Sequence, residues 1–131
     1  MRIKELIVLA AGLCLTAACQ ESLEERCKRE CYEFTSKKCP MRIDAYTLMD
    51  SMTFDAATRT ISYSYTLSGM LDDSAYIQRA NPRELLLGEV RNSANLKLYK
   101  DAKYSFRYVY HSDKQKDTQL FETTFNPEDY Q

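Results

Sequence analysis

An alternating segment near the middle of the chain constrains the fold more than any other part. Residues 61–68 read ISYSYTLS, so Ile61, Tyr63, Tyr65 and Leu67 fall on one side of an extended chain, and small hydroxylated residues fall on the other. Such alternation predicts a β-strand with one buried and one solvent-facing side. A second layer of structure must therefore cover the side that carries the two tyrosines.

Helices are predicted on either side of this strand. Ser22 and Glu25 form a capping-box pattern before an apolar stripe at spacings of four, four and three, and Pro40 ends that segment. Asn81 followed by Pro82 predicts the start of a second helix, with asparagine as the N-cap and proline in the first turn. Both segments carry the apolar face that a covering layer needs.

Further strands are predicted before and after this second helix. Segments 48–54, 104–110 and 120–125 alternate between apolar and polar residues, and Asp50 interrupts the first of them, which marks a bulge. The polar loop 111–117 separates the last two strands. The order of elements predicts an α+β fold, with an antiparallel sheet of about four strands (β-β-α-β-β) covered by one helix and preceded by an N-terminal helix. In order of elements this resembles small cystatin-like or pilotin-like envelope domains.

The N-terminus carries the features of an export signal. Arg2 and Lys4 precede an almost unbroken apolar run over 6–18, which is too short for a membrane span of roughly 20 residues. A basic start, a short apolar run and small residues before polar chain predict a secretory signal peptide. The alternative is a buried helix, which the apolar character of every face of the run disfavours.

The end of the apolar run indicates a site of lipid attachment. Leu15-Thr16-Ala17-Ala18-Cys19 resembles the lipobox of bacterial lipoproteins, with Thr16 departing from the usual leucine. The resemblance implies cleavage before Cys19, acylation of that cysteine with chains such as palmitate, and a membrane anchor. Gln20, in place of an aspartate, favours the outer membrane over the inner one. The predicted organisation is a signal peptide at 1–18, a lipid-anchored N-terminal helix at 19–40 and a small α+β domain at 41–131.

Three cysteines of the N-terminal helix region suggest a disulfide. Cys27 and Cys31 are four residues apart, so their β-carbons should lie about 5–6 Å apart on a helix, which exceeds the roughly 3.8 Å of a disulfide. Cys39 lies just beyond the helix, within easier reach of Cys31. Export favours oxidation. The sequence therefore predicts a Cys31–Cys39 disulfide with Cys27 free, and an all-reduced state is the alternative in an anaerobic host.

Few residues suggest catalysis or a cofactor. The chain has one histidine, His111, and only three glycines, so no phosphate-binding loop is present. The three cysteines lack a fourth zinc ligand, and no pair of carboxylates stands out. We expect no catalytic residues, no metal and no cofactor. The net charge of −1 likewise gives no reason to expect nucleic acid as a partner.

These observations leave three functions open. The leading hypothesis is a non-enzymatic envelope lipoprotein, anchored through Cys19, that binds an unidentified envelope protein or polymer. The alternative is a small-ligand carrier whose pocket would be lined by tyrosines, namely Tyr63, Tyr65, Tyr108 and Tyr110. An enzyme is third and would need a cleft that joins His111 to an acid and a serine or threonine.

Overall fold

The computed structural model describes residues 21–131, which form an α+β fold with one five-stranded sheet and several helices. The α+β class predicted from the sequence is therefore confirmed. The helices are α1 (Leu23–Lys38), α2 (Ser74–Ala80), α3 (Pro82–Asn92), α4 (Lys97–Asp101) and α5 (Pro127–Tyr130). The strands are β1 (Met41–Asp44), β2 (Thr47–Asp55), β3 (Thr60–Leu67), β4 (Ser105–Ser112) and β5 (Gln119–Phe125). Short 3₁₀ turns lie at Gly69–Leu71 and Ala94–Leu96.

Helix α1 begins where its cap was predicted. The Ser22 hydroxyl accepts a 3.1 Å hydrogen bond from the backbone N–H of Glu25, which satisfies one of the free donors of the first turn. The apolar stripe of α1 packs on β2, and Cys27 and Cys31 join the buried core. The helix at 23–38 is thus part of the same hydrophobic core as the sheet.

Helix α3 also begins at the predicted proline, but its cap differs from the expectation. Asn81 adopts a left-handed conformation with φ 51°, and its side chain makes no capping hydrogen bond. This asparagine instead ends α2 and turns the chain into α3, a conformation that asparagine tolerates better than most residues. The start of α3 and the N-cap position of Asn81 were predicted correctly, but the Asn81 side chain does not make the capping bond.

The sheet is mixed, which corrects the expectation of about four antiparallel strands. The strands lie in the order β1-β2-β3-β4-β5, and all neighbours are antiparallel except β3 and β4, which are parallel. A parallel pair needs a long crossover, and segment 68–104 with its helices supplies it. Local signals predicted the hairpins β2-β3 and β4-β5 correctly, but they did not indicate which strands would meet in the middle.

A bulge in β2 decides which of its side chains reach the core. The register between β2 and β3 shifts between Met49 and Ser51, so Asp50 is the extra residue, as the sequence indicated. The Asp50 carboxylate accepts a 2.7 Å hydrogen bond from the Thr66 hydroxyl on the open face of the sheet. Because of the shift, Met49 is buried and Leu48 lies on the other face, next to Thr66.

One face of the sheet is covered and the other is open. The covered face carries Ile61, Phe106 and Phe125, which are almost completely buried under the helices. Helices α1, α3 and α4 all contribute buried side chains to this layer, so the expectation of one covering helix was wrong. The open face carries the small hydroxylated residues of β3 and an ion pair between Arg107 and Glu122, at 2.7 Å.

Candidate functional site

Four tyrosines form two stacked pairs across the parallel strands at the centre of the sheet. Tyr63 lies opposite Tyr108 with ring centroids 4.9 Å apart, and Tyr65 lies opposite Tyr110 with centroids 4.8 Å apart. Each pair stacks because parallel register places the two residues side by side on the same face of neighbouring strands. We call Tyr63, Tyr65, Tyr108 and Tyr110 the tyrosine ladder.

The helices do not fully cover this ladder, and two cavities remain above it. The first, of about 320 Å³, lies between the sheet and helices α2 and α3; Tyr65 and Tyr110 form part of its floor. The second, of about 380 Å³, lies beside α1 and reaches Tyr63, Tyr65 and Tyr108. Tyr65 and Glu89 line both, so the cavities meet there. We call the two together the groove, with an α2-side cavity and an α1-side cavity.

The groove has apolar walls with a partly exposed rim. Leu67, Leu71, Ile77, Leu86 and Phe121 line the α2-side cavity. Leu85 of α3 and Ile43 of β1 stand at its rim, 66% and 49% exposed, and exposed apolar side chains beside a cavity are typical of binding sites. Each cavity is comparable in size with the smaller ligand pockets of proteins, which start at roughly 300 Å³.

The hydroxyl groups of the ladder are free to bind a ligand. In the part of the chain that the structure describes, none of the four hydroxyls is hydrogen-bonded to protein. Burial raises the pKa of all four phenols, and the negative charge of Glu89 adds to this effect at Tyr65, Tyr108 and Tyr110. For Tyr65 the pKa is raised to about 12. The ladder therefore offers uncharged phenols to the groove at neutral pH.

Glu30 lines the α1-side cavity and takes part in a hydrogen-bond network. Its carboxylate accepts hydrogen bonds from the Arg26 guanidinium at 2.6 Å and from the Tyr99 hydroxyl at 2.9 Å. Partial burial raises the pKa of Glu30, but the bonds from Arg26 and Tyr99 outweigh it, so the net pKa is lowered. This carboxylate is already satisfied by protein groups.

Two of the three cysteines line the α1-side cavity. Cys27 and Cys31 are buried; the interaction between their thiols, together with burial, raises the pKa of Cys27, whereas the same interaction lowers the pKa of Cys31. All three cysteines at 21–131 are free thiols in the structure, so the expected Cys31–Cys39 disulfide is not formed in it. That disulfide stays a prediction for oxidised protein.

The other residues singled out in the sequence lie away from the groove. His111 follows Tyr110 on β4 and therefore faces the open side of the sheet. Among residues 21–131, no group of three or more His, Cys, Asp and Glu side chains could hold a metal ion. Cys19, the expected lipid-attachment residue, lies outside the described residues.

Sequence reasoning found the ladder but missed Glu89 and the rim. Tyr63, Tyr65, Tyr108 and Tyr110 were grouped from strand alternation, and the structure brings all four together. Glu89 follows Leu86 by three positions on α3, so its place at the edge of the apolar stripe was visible in the helical spacing. What the sequence could not show was that this edge faces a gap between helices.

Comparison with known proteins places the chain in a family. A family model described as "Domain of unknown function (DUF8479)" matches residues 22–121. The chain belongs to this family. The DUF8479 match begins at the cap of α1 and ends within β5, so it includes the whole ladder and the three helices that flank the groove. No curated protein matches the chain.

The fold of this DUF8479 member is similar to one solved by crystallography. The crystal structure of a candidate secreted protein from Pseudomonas aeruginosa aligns with a TM-score of 0.65 and 10% sequence identity, over 86% of this chain and 100% of the other. At that identity, the likeness shows the fold alone. Across 21–131, no helix is both long enough and apolar enough to cross a membrane.

Proposed function

We propose that this DUF8479 protein is a lipid-anchored carrier of the cell envelope that binds a small, largely apolar ligand in the groove. The observation that supports this function is the pair of cavities meeting above the tyrosine ladder, whose four hydroxyls have no protein partner within the described residues. A packed interior at this position would have argued against a carrier. The chemistry proposed is binding without catalysis.

The anchor in this proposal comes from the N-terminal sequence. Lipid on Cys19 would tether the domain to the membrane, with the outer membrane favoured by Gln20. Several acyl chains together hold a protein firmly, since each buried methylene contributes about 0.8 kcal/mol and a single chain binds only marginally. The cap of α1 follows Cys19 by three residues, so the tether would leave the domain close to the bilayer.

Binding of an envelope protein or polymer is the second candidate. The observation that favours it is the open face of the sheet, where Ser62, Ser64 and Thr66 of β3 are half-buried and present small side chains. Small residues leave room for another surface to approach. The groove favours the carrier more strongly because it combines a concave, largely apolar volume with unpaired polar groups, which is the usual composition of ligand pockets.

Nile red, a neutral dye that fluoresces in apolar surroundings, tests the carrier function. We expect saturable binding to the Cys19→Ala chain, in which no lipid on that cysteine competes for the groove. Leu85→Ser at the rim should weaken binding several-fold, because Leu85 lines the α2-side cavity. Leu98→Ser is the matched control: Leu98 is 52% exposed on α4 and lines neither cavity.

The carrier function fails if the dye does not saturate or if both leucine variants weaken it equally. Equal weakening would mean that Nile red covers exposed apolar surface without entering the groove. Circular dichroism of each variant shows whether the fold is retained. Both leucines are mostly exposed, so we expect their replacement to change the free energy of unfolding by less than about 0.5 kcal/mol.

A further inference from the structure

The charged residues that line the groove are all acidic. Asp44 and Glu89 line the α2-side cavity, and Glu30 and Glu89 line the α1-side cavity. No lysine, arginine or histidine of the described chain lines either one. The net charge of the protein is close to zero, so this uniform sign is a local property of the groove. An anionic ligand would meet no positively charged lining residue there.

Glu89 is the carboxylate that remains available. Glu30 is occupied by Arg26 and Tyr99, and one Asp44 oxygen accepts a 2.9 Å hydrogen bond from the backbone N–H of Tyr46. Glu89 has no ion pair or hydrogen bond among residues 21–131, and it stands where the two cavities meet. Its charge raises the pKa of Tyr65, so the carboxylate lies close enough to influence the ladder.

Tyr108 supplies a second, independent indication of a ligand. Its side chain is only 7% exposed, and its hydroxyl lacks a protein hydrogen bond while lining the α1-side cavity. The hydroxyl oxygen is open to the cavity, so a ligand donor that reaches it forms a hydrogen bond in largely apolar surroundings. A phenol hydroxyl both donates and accepts hydrogen bonds, and a carboxylate accepts only, so one ligand donor can bond to both groups.

We propose that the groove binds a small amphipathic amine, with its protonated amino group between Glu89 and the hydroxyls of the ladder and its apolar body in the α2-side cavity. This inference rests on the proposed carrier function and specifies its ligand. The amino group would supply a cationic partner for the Glu89 carboxylate. Its N–H groups would also donate hydrogen bonds to the phenol oxygens. Leu67, Leu86 and Phe121 give the apolar body its contacts.

The arrangement favours an amine with N–H groups over a quaternary ammonium ion. Quaternary ions bind through the faces of aromatic rings. In the ladder one face of each ring is occupied, because Tyr63 covers Tyr108 and Tyr65 covers Tyr110 at centroid distances below 5 Å. The hydroxyl edges are what the groove presents, and they can accept hydrogen bonds from the N–H groups of an amine, which a quaternary ion lacks.

Isothermal titration calorimetry with a matched set of probes tests this inference. Decylamine, decanol, decanoate and decyltrimethylammonium share one apolar chain and differ in the head group. On the Cys19→Ala chain at neutral pH and low salt, we expect decylamine to bind about tenfold or more tighter than decanol, as expected for one charge-assisted hydrogen bond. Decanoate should bind weakest, and decyltrimethylammonium should bind less tightly than decylamine.

Glu89→Gln provides the decisive variant and Glu84→Gln its control. Both glutamates are exposed on α3, but Glu84 lines neither cavity. Glu89→Gln should weaken decylamine about tenfold and leave decanol unchanged, whereas Glu84→Gln should change neither. Circular dichroism checks that both variants fold.

The possible failures are distinguishable. If decanol binds as tightly as decylamine and Glu89→Gln has no effect, the inference of an amine ligand is overturned and the carrier function stands. If decyltrimethylammonium binds as tightly as decylamine, the inference that the amino group donates hydrogen bonds in the groove is overturned. If none of the four probes binds, the carrier function fails as well.

Discussion

The hydroxyl of Tyr130 donates a 2.7 Å hydrogen bond to the carbonyl oxygen of Tyr104, whereas the hydroxyl of Tyr104 is itself buried with no partner among the described residues. Tyr130 is the last residue of α5, and Tyr104 directly precedes β4. One hydroxyl is satisfied and the other is not, so the same substitution should have opposite effects at the two positions.

Tyr104→Phe should stabilise the protein, and Tyr130→Phe should destabilise it. Removing the unpaired hydroxyl of Tyr104 relieves a desolvation cost of about 1–3 kcal/mol. Removing the hydroxyl of Tyr130 loses a hydrogen bond of about 1 kcal/mol and leaves a buried carbonyl unpaired. Urea denaturation followed by circular dichroism measures both changes, and a stabilised Tyr130→Phe would contradict the assignment.

The tyrosine ladder predicts a loss of stability in alkali. The pKa of Tyr65 is raised to about 12 in the folded protein, and that of Tyr63 and Tyr108 is raised as well, against about 10 for an unfolded chain. Because the folded pKa lies above the unfolded one, this stability is fully present below about pH 10 and is lost as the pH rises through about 12. Absorbance of tyrosinate should therefore rise together with the loss of circular dichroism.

A Tyr63→Phe/Tyr108→Phe double variant is the control for this titration. Phenylalanine keeps the stacked rings and removes two of the late-titrating hydroxyls. The alkaline loss of stability should be shallower in the double variant than in the parent. An unchanged slope would mean that other groups govern unfolding in alkali.

The two faces of the sheet should respond differently to substitution. Tyr108→Ala removes a buried, stacked ring and should lower the free energy of unfolding by about 3–5 kcal/mol. Ser64→Arg lies on the open face, where we expect a change of less than about 1 kcal/mol. Thermal unfolding of the two variants compares them directly, and the reverse order would mean that the faces are inverted.

Lipid attachment at Cys19 has its own test. Cells labelled with a fatty-acid analogue should yield a labelled parent protein and an unlabelled Cys19→Ala variant. The variant should also leave the membrane fraction, because the anchor is covalent. Equal labelling of the two proteins would end the lipoprotein hypothesis without affecting the groove.

Local patterns predicted the elements well but not their assembly. Alternation identified β3 and β4 and the face on which their tyrosines lie, and the Ser22 cap identified the start of α1. These signals depend on residues within one or two turns of each other. The short strand β1 at 41–44 has no such alternation. It was not predicted, and it is the fifth strand of the sheet.

The groove was harder to predict than the ladder beneath it. Which face of β3 is buried follows from a period of two, but whether helices close over that face depends on where the crossover 68–104 places α3 relative to α1. That Glu89 and Tyr65 line the same two cavities is a product of that placement. No spacing within the sequence encodes the gap between two helices that are distant along the chain.

The parallel pairing of β3 with β4 has a consequence for how the protein folds. These strands can meet only after the whole crossover between them has been drawn in, and such long-range closure is a slow step compared with hairpin formation. Each stacked tyrosine pair consists of one ring from β3 and one from β4. A partial chain that ends before β4 therefore contains neither complete pair. During synthesis, the capacity to bind would therefore arise only once β4 has been made and has paired with β3.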